Sequence, residues 1–240
     1  MLSIVLPCFN EEPNIERSVR DTAAWLQTKG MPWEILVVDD GSTDGTAAML
    51  ERLKREISSL IVVRHAVNQG YGVAVRSGCD QAKGDIIGFM DSDGQFRPSD
   101  FDLLLPKLTN CAFVTGRRGH RADPLIRCLF GKMLGAMNVI VLGLWVRDIN
   151  CGMKIFRRDV WKDVRPVYGV EKLFNTEVFL RLKRNHIPWC QVNVPHYPRR
   201  AGKQTGGSLR VIFRMFWELW RLKYAPQSEA NATSASSHLE

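Results

Sequence analysis

Asp91-Ser92-Asp93 places two carboxylates one residue apart, where the apolar run Ile86 to Met90 stops. Carboxylates so spaced at a strand end can both reach one hard divalent cation, and Mg²⁺ or Mn²⁺ held this way keeps positions open for substrate phosphates. Gln95 offers a further oxygen ligand. Asp is common in plain turns, but the position directly after a buried strand sets this triplet apart. A second pair, Asp39-Asp40, closes the run Ile35 to Val38 and opens into Gly41-Ser42-Thr43-Asp44-Gly45. Ser42 or Thr43 suits the N-cap of a following helix, a role that does not need two adjacent carboxylates. A carboxylate here can accept hydrogen bonds from a nucleobase N–H or a ribose hydroxyl. A third acidic turn, Asn10-Glu11-Glu12, follows Leu2 to Leu6, with a helix N-terminus ahead of Pro13 as its plainer reading.

These turns must be held by strands. Short apolar, β-branched runs recur at Leu2 to Leu6, Ile35 to Val38, Leu60 to Val63, Ile86 to Met90 and Ala112 to Thr115, as in strands buried on both faces. Between them Ile15, Val19, Ala23 and Leu26 fall at helical spacing, and Ala47, Leu50, Leu53 and Ile57 follow a similar stripe. The alternation predicts an α/β fold, a mostly parallel, Rossmann-like sheet with helices on both faces that binds ligands beyond the carboxyl ends of its strands. The three acidic turns then converge on one edge.

With 240 residues, 45% apolar and 24% charged, the chain is long enough for one large domain and too apolar for disorder. We expect that domain over residues 1–225. A disordered tail is expected over 226–240, its last two residues, Leu239 and Glu240, being a remnant of expression. Six cysteines without a C-x-x-C pair or zinc-ligand spacing predict free thiols in a reducing compartment. An N-terminus that begins at once with a strand lacks the pattern of a signal peptide. Both point to the cytoplasm.

The motifs L-P-C-F-N-E-E, V-V-D-D-G-S-T-D-G-T, N-Q-G-Y-G-V-A-V-R-S-G and F-M-D-S-D-G-Q, in this order, resemble those of glycosyltransferase family 2 enzymes of the GT-A fold. With T-G-R-R, D-I-N-C-G-M-K-I-F and V-P-H-Y-P-R-R-A-G, the chain is most similar to the dolichol-phosphate mannose synthase branch, whose members glycosylate polyprenyl phosphates. The resemblance spans Leu2 to Lys223. It implies that Pro7, Phe9, Glu11, Val38 and Asp40 surround the base and ribose of a nucleotide sugar, with Asp91 and Ser92 beside it. It implies a metal, Mg²⁺ or Mn²⁺, on Asp91, Asp93 and Gln95. It further implies Arg117 and Arg127 on the acceptor phosphate, and Arg200 or the equally matching Arg199 closing over the phosphates. The branch often carries G-x-S-K after that arginine; here Lys203 stands in for the later lysine. Asp93, Arg117 and Arg200 form the implied catalytic set. Arg76 either binds ligand or anchors its helix, and Glu177 is a paired or surface residue of a helix near the acceptor.

The charge is local. Lys+Arg 33 against Asp+Glu 25 gives +8, and the stretches Arg117 to Lys132 and Tyr197 to Lys223 together carry +10, leaving −2 for the rest. Two basic patches beside an acidic site suit an anionic acceptor at an anionic leaflet. A nucleic-acid-binding module could use the same charge, but leaves the acidic strand ends without a role, and we expect no nucleic-acid partner. The absence of G-x-G-x-x-G after the first strand argues against a dinucleotide-binding dehydrogenase. Cys128 to Val146 is apolar but interrupted by Lys132 and Asn138, and a crossing there would split the domain between two sides of the membrane. It is expected to be a core helix or part of an interfacial amphipathic pair with Leu209 to Lys223, whose Ile212, Phe213, Phe216, Trp217 and Trp220 form one apolar face. The expected function is an inverting, metal-dependent hexosyltransferase, peripheral on the cytoplasmic membrane face. It would use GDP-mannose or UDP-glucose and a dolichyl or undecaprenyl phosphate acceptor, or else transfer to a sugar hydroxyl.

Overall fold

The computed structural model describes residues 1–119, 125–169, 173–199, 219, 220 and 222–224, of which 125–132 and 134 are described by backbone alone. Seven strands, β1 (Leu2–Cys8), β2 (Trp33–Asp39), β3 (Leu60–Arg64), β4 (Ile86–Met90), β5 (Phe113–Arg118), β6 (Met153–Arg157) and β7 (Trp189–Val194), form one sheet in the order β3-β2-β1-β4-β6-β5-β7. All pairings are parallel except those of β6, which runs antiparallel to β4 and β5. Two antiparallel pairings in succession restore direction, so the carboxyl ends of β1, β2, β4 and β5 share one edge. The acidic turns and Arg117 therefore lie along the same rim.

Helices α1 (Glu12–Gln27), α2 (Thr46–Glu56) and the short α4 (Phe101–Leu104) cover one face, where Ile15, Val19, Ala23, Leu26, Leu50 and Leu53 meet Leu2, Ile4, Leu6, Ile35 and Val37. The other face carries α3 (Tyr71–Gln81), α6 (Arg158–Val164) and α7 (Phe174–Arg184), packed on Val5, Leu36, Val38, Ile87 and Phe89. Gly78 lets α3 lie directly on the sheet: a Cβ there would come within 2.3 Å of the Val5 side chain. Both faces of β1 and β2 are buried, as their unbroken apolar runs require.

Three expectations change. β7 has no counterpart in the sequence reading, because W-C-Q-V-N-V is an edge strand of mixed polarity and mostly half-exposed. The cysteines are not all free: Cys111 and Cys190 form a disulfide with a Cα–Cα distance of 6.1 Å, while Cys8, Cys79 and Cys151 are free and buried. The pair is 79 residues apart in sequence, and only the parallel β5–β7 ladder, with Val114 opposite Cys190, brings it together. The argument from free thiols to a reducing compartment falls with it. The third concerns α2, whose first turn is served by Asp44, which accepts from Thr46 N at 3.0 Å, and not by Ser42 or Thr43.

The segment Cys128 to Val146 overlaps α5 (Leu125–Leu142). Its last turns bury Asn138 and Leu142 but leave Val139 46% and Ile140 81% exposed, so it is partly core helix and partly open surface. Of the aromatic face expected over 209–223, only Trp220 is described; it is half-exposed, whereas Leu219 and Leu222 point inward. Among the described residues no helix is long and apolar enough to cross a membrane. The expected tail lies outside the described residues.

Candidate active site

The loops after β1 and β2 are fastened to each other. Asn10, in the left-handed region at φ 54°, donates its N–H to Ser42 Oγ at 2.9 Å, and its Oδ1 accepts from Thr43 N at 2.8 Å. Gly45 N donates to Glu12 at 3.0 Å, and Glu11 N to Thr46 Oγ1 at 3.0 Å. Asp39 is wholly buried, accepts from Ser42 N at 2.9 Å and faces Arg64 at 3.4 Å. Next to it, Asp40 accepts from three donors: Oδ1 from His65 Nδ1 at 2.7 Å and Gln69 N at 2.9 Å, Oδ2 from Gly70 N at 2.8 Å. His65 Nε2 lies 3.0 Å from Ser77 Oγ. Facing the carboxylate, Nδ1 is the donor, while Nε2 and the serine hydroxyl share the second hydrogen bond. His65 is thus a site residue that the motifs alone did not reveal, although it lies four residues ahead of the Gln69-Gly70 backbone that Asp40 also holds.

Phe9, just past β1, is 39% exposed, and Asp40 N donates to the carbonyl of its neighbour Cys8 at 2.9 Å. Pro7 and Val38 are buried. Val38 lies under Gly78 and presents no side chain to a ligand; the Pro7 carbonyl accepts from Ser92 Oγ at 2.8 Å. Ser92 is also anchored through its own carbonyl, which accepts from Ser18 Oγ at 2.8 Å. Its hydroxyl therefore holds the acidic loop in place between its two aspartates.

Those aspartates have contrasting surroundings. Asp91 points at Gly152, where a Cβ would sit 1.9 Å from its Oδ2, so only glycine leaves room for this carboxylate. Its Oδ1 is shut off from solvent and makes no well-formed hydrogen bond among the described residues. Burial pushes the Asp91 carboxyl up, opposed first by the Tyr71 hydroxyl and then by the positive charges of Lys154 and Arg118. Lys154 itself is entirely buried on β6, bonded to the Cys151 carbonyl and set over the rings of Phe89 and Phe179; burial brings its ammonium down to about 8. Asp93 is more open: Oδ1 accepts from Gln95 N at 3.0 Å, and Oδ2 faces the Arg199 guanidinium at 3.4 Å. Arg199 also grips Glu11, whose second oxygen accepts from Asn14 Nδ2 at 2.7 Å. Burial raises the Glu11 carboxyl, while Asn14 and Arg199 pull it back.

Two carboxylates already gathered around one guanidinium, and a third with an orphaned buried oxygen, fit a divalent cation. Among the described residues no three His, Cys, Asp or Glu side chains close on one point. The residues present thus suit a cation bound by Asp93 with help from Asp91, its remaining positions going to substrate oxygens. The side-chain amide nitrogen of Gln95 donates to the Tyr197 carbonyl at 3.4 Å and its backbone carbonyl accepts from Tyr197 N at 3.0 Å, tying the end of the 195–199 segment to the acidic loop.

On the basic side, Arg118 is chelated by Asp148 at 2.7 and 2.8 Å, whereas Arg117, half-buried at the end of β5, has no ion-pair or hydrogen-bond partner among the described residues. The Arg127 side chain, Arg200 and Lys203 lie outside the described residues. Arg76 anchors rather than reaches outward, its guanidinium donating to the carbonyls of Pro166 and Val167 at 3.3 and 3.4 Å. Glu177 is not a surface residue: buried to 2% exposure, it accepts from Val167 N, Tyr168 N and Gly169 N at 2.6 to 2.8 Å and pairs with Arg181. Together Arg76 and Glu177 pin the loop after α6 beside Phe174, whose ring packs edge-on against Tyr71.

Comparison with known proteins agrees with this arrangement. Residues 3–165 match the family model described as "Glycosyl transferase family 2". The dolichyl-phosphate beta-glucosyltransferase ALG5A of Trichomonas vaginalis is 32% identical over 178 residues, 67% of this chain and 54% of that protein. The undecaprenyl-phosphate 4-deoxy-4-formamido-L-arabinose transferase of Salmonella paratyphi A is 30% identical over 220 residues, 90% of this chain and 65% of its own length. The chain thus spans a little over half to two thirds of these relatives. Among solved structures, glucosyl-3-phosphoglycerate synthase from Mycobacterium tuberculosis, in complex with Mn²⁺, UDP and phosphoglyceric acid, superposes with a TM-score of 0.68 at 25% identity, covering 95% of this chain and 80% of that one. The expected GT-A architecture is the one observed, and the chain belongs to glycosyl transferase family 2.

Proposed function

We propose that the chain transfers a hexose from a uridine-diphosphate sugar to a polyprenyl phosphate at a membrane surface. The observation that carries this reading is the pairing of opposites on one rim: a carboxylate-lined donor edge at Glu11, Asp40, Asp91 and Asp93, and Arg117 at the end of β5, which has no ion-pair partner among the described residues. Cations held in reserve at a half-buried position suit a phosphate acceptor. The names of the curated relatives, a dolichyl-phosphate and an undecaprenyl-phosphate transferase, support the same acceptor class.

Uridine is favoured by the acceptor count at Asp40. Oδ1 already takes two donors and Oδ2 one, which leaves a single lone pair for a base. Uracil presents one N–H on its pairing edge, whereas guanine presents two donors side by side. The UDP held by the structural neighbour is in keeping with this preference.

In the reaction, Arg117 binds and orients the acceptor phosphate, which is largely anionic at neutral pH and needs no dedicated base. Its oxygen attacks the anomeric carbon as the bond from that carbon to the diphosphate oxygen breaks, which inverts the configuration and releases UDP. A divalent cation, when bound at Asp93 and Asp91, supplies charge stabilisation to the leaving diphosphate. Phe9 stacks on the base, Asp40 accepts from it, and Arg199, beside Glu11 and Asp93, faces the diphosphate. The exposed Val139, Ile140 and Trp145 offer an apolar surface to the lipid layer.

Incubating the chain with Mn²⁺, UDP-glucose or GDP-mannose, and vesicles containing dolichyl or undecaprenyl phosphate tests the reading. A lipid-linked hexose detected by mass spectrometry from the UDP sugar is the expected product. Transfer to a glycan, with none to polyprenyl phosphate, would assign a sugar-hydroxyl acceptor instead.

A further inference from the structure

The segment from Pro195 to Arg199 leaves β7 and crosses the acidic loop on four attachments. Tyr197 exchanges two hydrogen bonds with Gln95, the His196 ring meets Phe96 edge-on at 5.3 Å, and the Arg97 guanidinium lies over the Tyr197 ring at 4.2 Å. This docking aims Arg199, 17% exposed, between Glu11 from the loop after β1 and Asp93 from the loop after β4. Each carboxylate has one oxygen fixed by its own loop, Glu11 by Asn14 and Asp93 by Gln95 N, and turns the other to the same guanidinium.

We infer that Arg199 is an internal counter-cation of the donor site, so that the chain takes up metal and nucleotide diphosphate together and free metal poorly. The inference rests on the metal-dependent donor reading given above. In the donor-free chain, a cation arriving at Asp93 must break a charge-assisted bond to Arg199 and leaves two positive charges side by side. A diphosphate resolves the conflict. It gives the guanidinium an anionic partner of fork-matching geometry while its oxygens complete the shell of the metal. Arg199 thereby couples the two ligands, and by linkage the coupling is the same whichever is added first.

Mn²⁺ binding, read from the electron paramagnetic resonance signal of the free ion with and without UDP, tests this without turnover. Arg199→Gln is expected to bind Mn²⁺ about tenfold more tightly than wild type in the absence of UDP, and to lose at least about tenfold of the enhancement that UDP gives. Arg199→Lys, which keeps the charge but not the fork, falls between. Should Arg199→Gln not fold, Tyr197→Ala, which loosens the aim of the segment, is expected to shift the coupling in the same direction. Wild-type values for both Mn²⁺ affinities in the folded variants overturn the inference and leave the metal reading intact. No Mn²⁺ binding by the wild type even with UDP overturns the metal reading and, with it, this inference.

Discussion

Replacing His65 with phenylalanine keeps a flat ring beside Asp40 but removes one of the three donors that fix its carboxylate. In the wild type one lone pair of Asp40 remains for the base, in a setting where the residue is only 3% exposed. A guanine donor left without an acceptor there costs about 1–3 kcal/mol, a preference for UDP over GDP of about 5–150-fold. His65→Phe returns a second lone pair, so that preference is expected to narrow by about tenfold, the equivalent of 1.4 kcal/mol. The lost bond also lowers stability by about 1.5–3 kcal/mol, a fall of about 3–12 °C in Tm for a chain of this size. Calorimetric titration of UDP and GDP in the presence of Mn²⁺, with melting curves of both proteins, reads all three effects. GDP binding to wild type as tightly as UDP would refute the acceptor count. A lower Tm with an unchanged preference would reduce His65 to a structural role.

Glu177→Gln replaces one carboxylate oxygen by an amide N–H₂, which then faces at least one of the three backbone N–H donors in a buried pocket, and leaves Arg181 without its charge partner. A loss of about 3–5 kcal/mol is expected, seen as a Tm lower by about 6–20 °C in scanning calorimetry; a change within a degree would contradict the buried role. Lys154→Met probes pH dependence. Because burial brings Lys154 from 10.5 to about 8, between these values the unfolded chain holds a proton that the folded chain has released, and stability from this group rises with pH. The charged lysine therefore costs the fold about 3 kcal/mol at pH 7, and wild type should gain about 2 kcal/mol on Lys154→Met between pH 7 and about pH 9.5. Urea unfolding at both pH values checks this, and a difference independent of pH would contradict it.

Strand ends and acidic turns were legible because both rest on local pattern. Runs such as Leu2 to Leu6 can be buried only in the middle of a sheet, and whatever follows them must emerge at its edge. The parallel order of β1 to β4 follows from the helices between them. Contacts made across the fold were not legible. Nothing local marks Cys111 for Cys190, or W-C-Q-V-N-V as a strand, until β5 provides a partner. Glu177 reads as an ordinary helical glutamate because its partners are backbone N–H groups of a loop whose conformation the sequence does not announce. Gln95 has the right type and spacing for a metal ligand, but its hydrogen bond through the amide nitrogen to the chain returning after β7 has no local signal. Ser92 was similarly placed but differently used: the residue between two site carboxylates serves to hold them. Arg199 matched the family pattern as well as Arg200 did, and only its reach to Glu11 and Asp93 gives it a distinct position.

The division of the rim into a donor half and an acceptor half is tested most directly by following lipid-linked hexose and free hexose together in wild type, Asp93→Ala and Arg117→Ala, with UDP-glucose and polyprenyl phosphate vesicles. The account predicts that Asp93→Ala loses both products, by at least about 10²-fold, because the leaving diphosphate is no longer stabilised. Arg117→Ala is predicted to lose lipid-linked product by a similar factor while its slow hydrolysis of the donor to free hexose stays at the wild-type rate. Equal loss of both products in Arg117→Ala, or retention of lipid-linked product, would contradict the assignment of Arg117 to the acceptor phosphate.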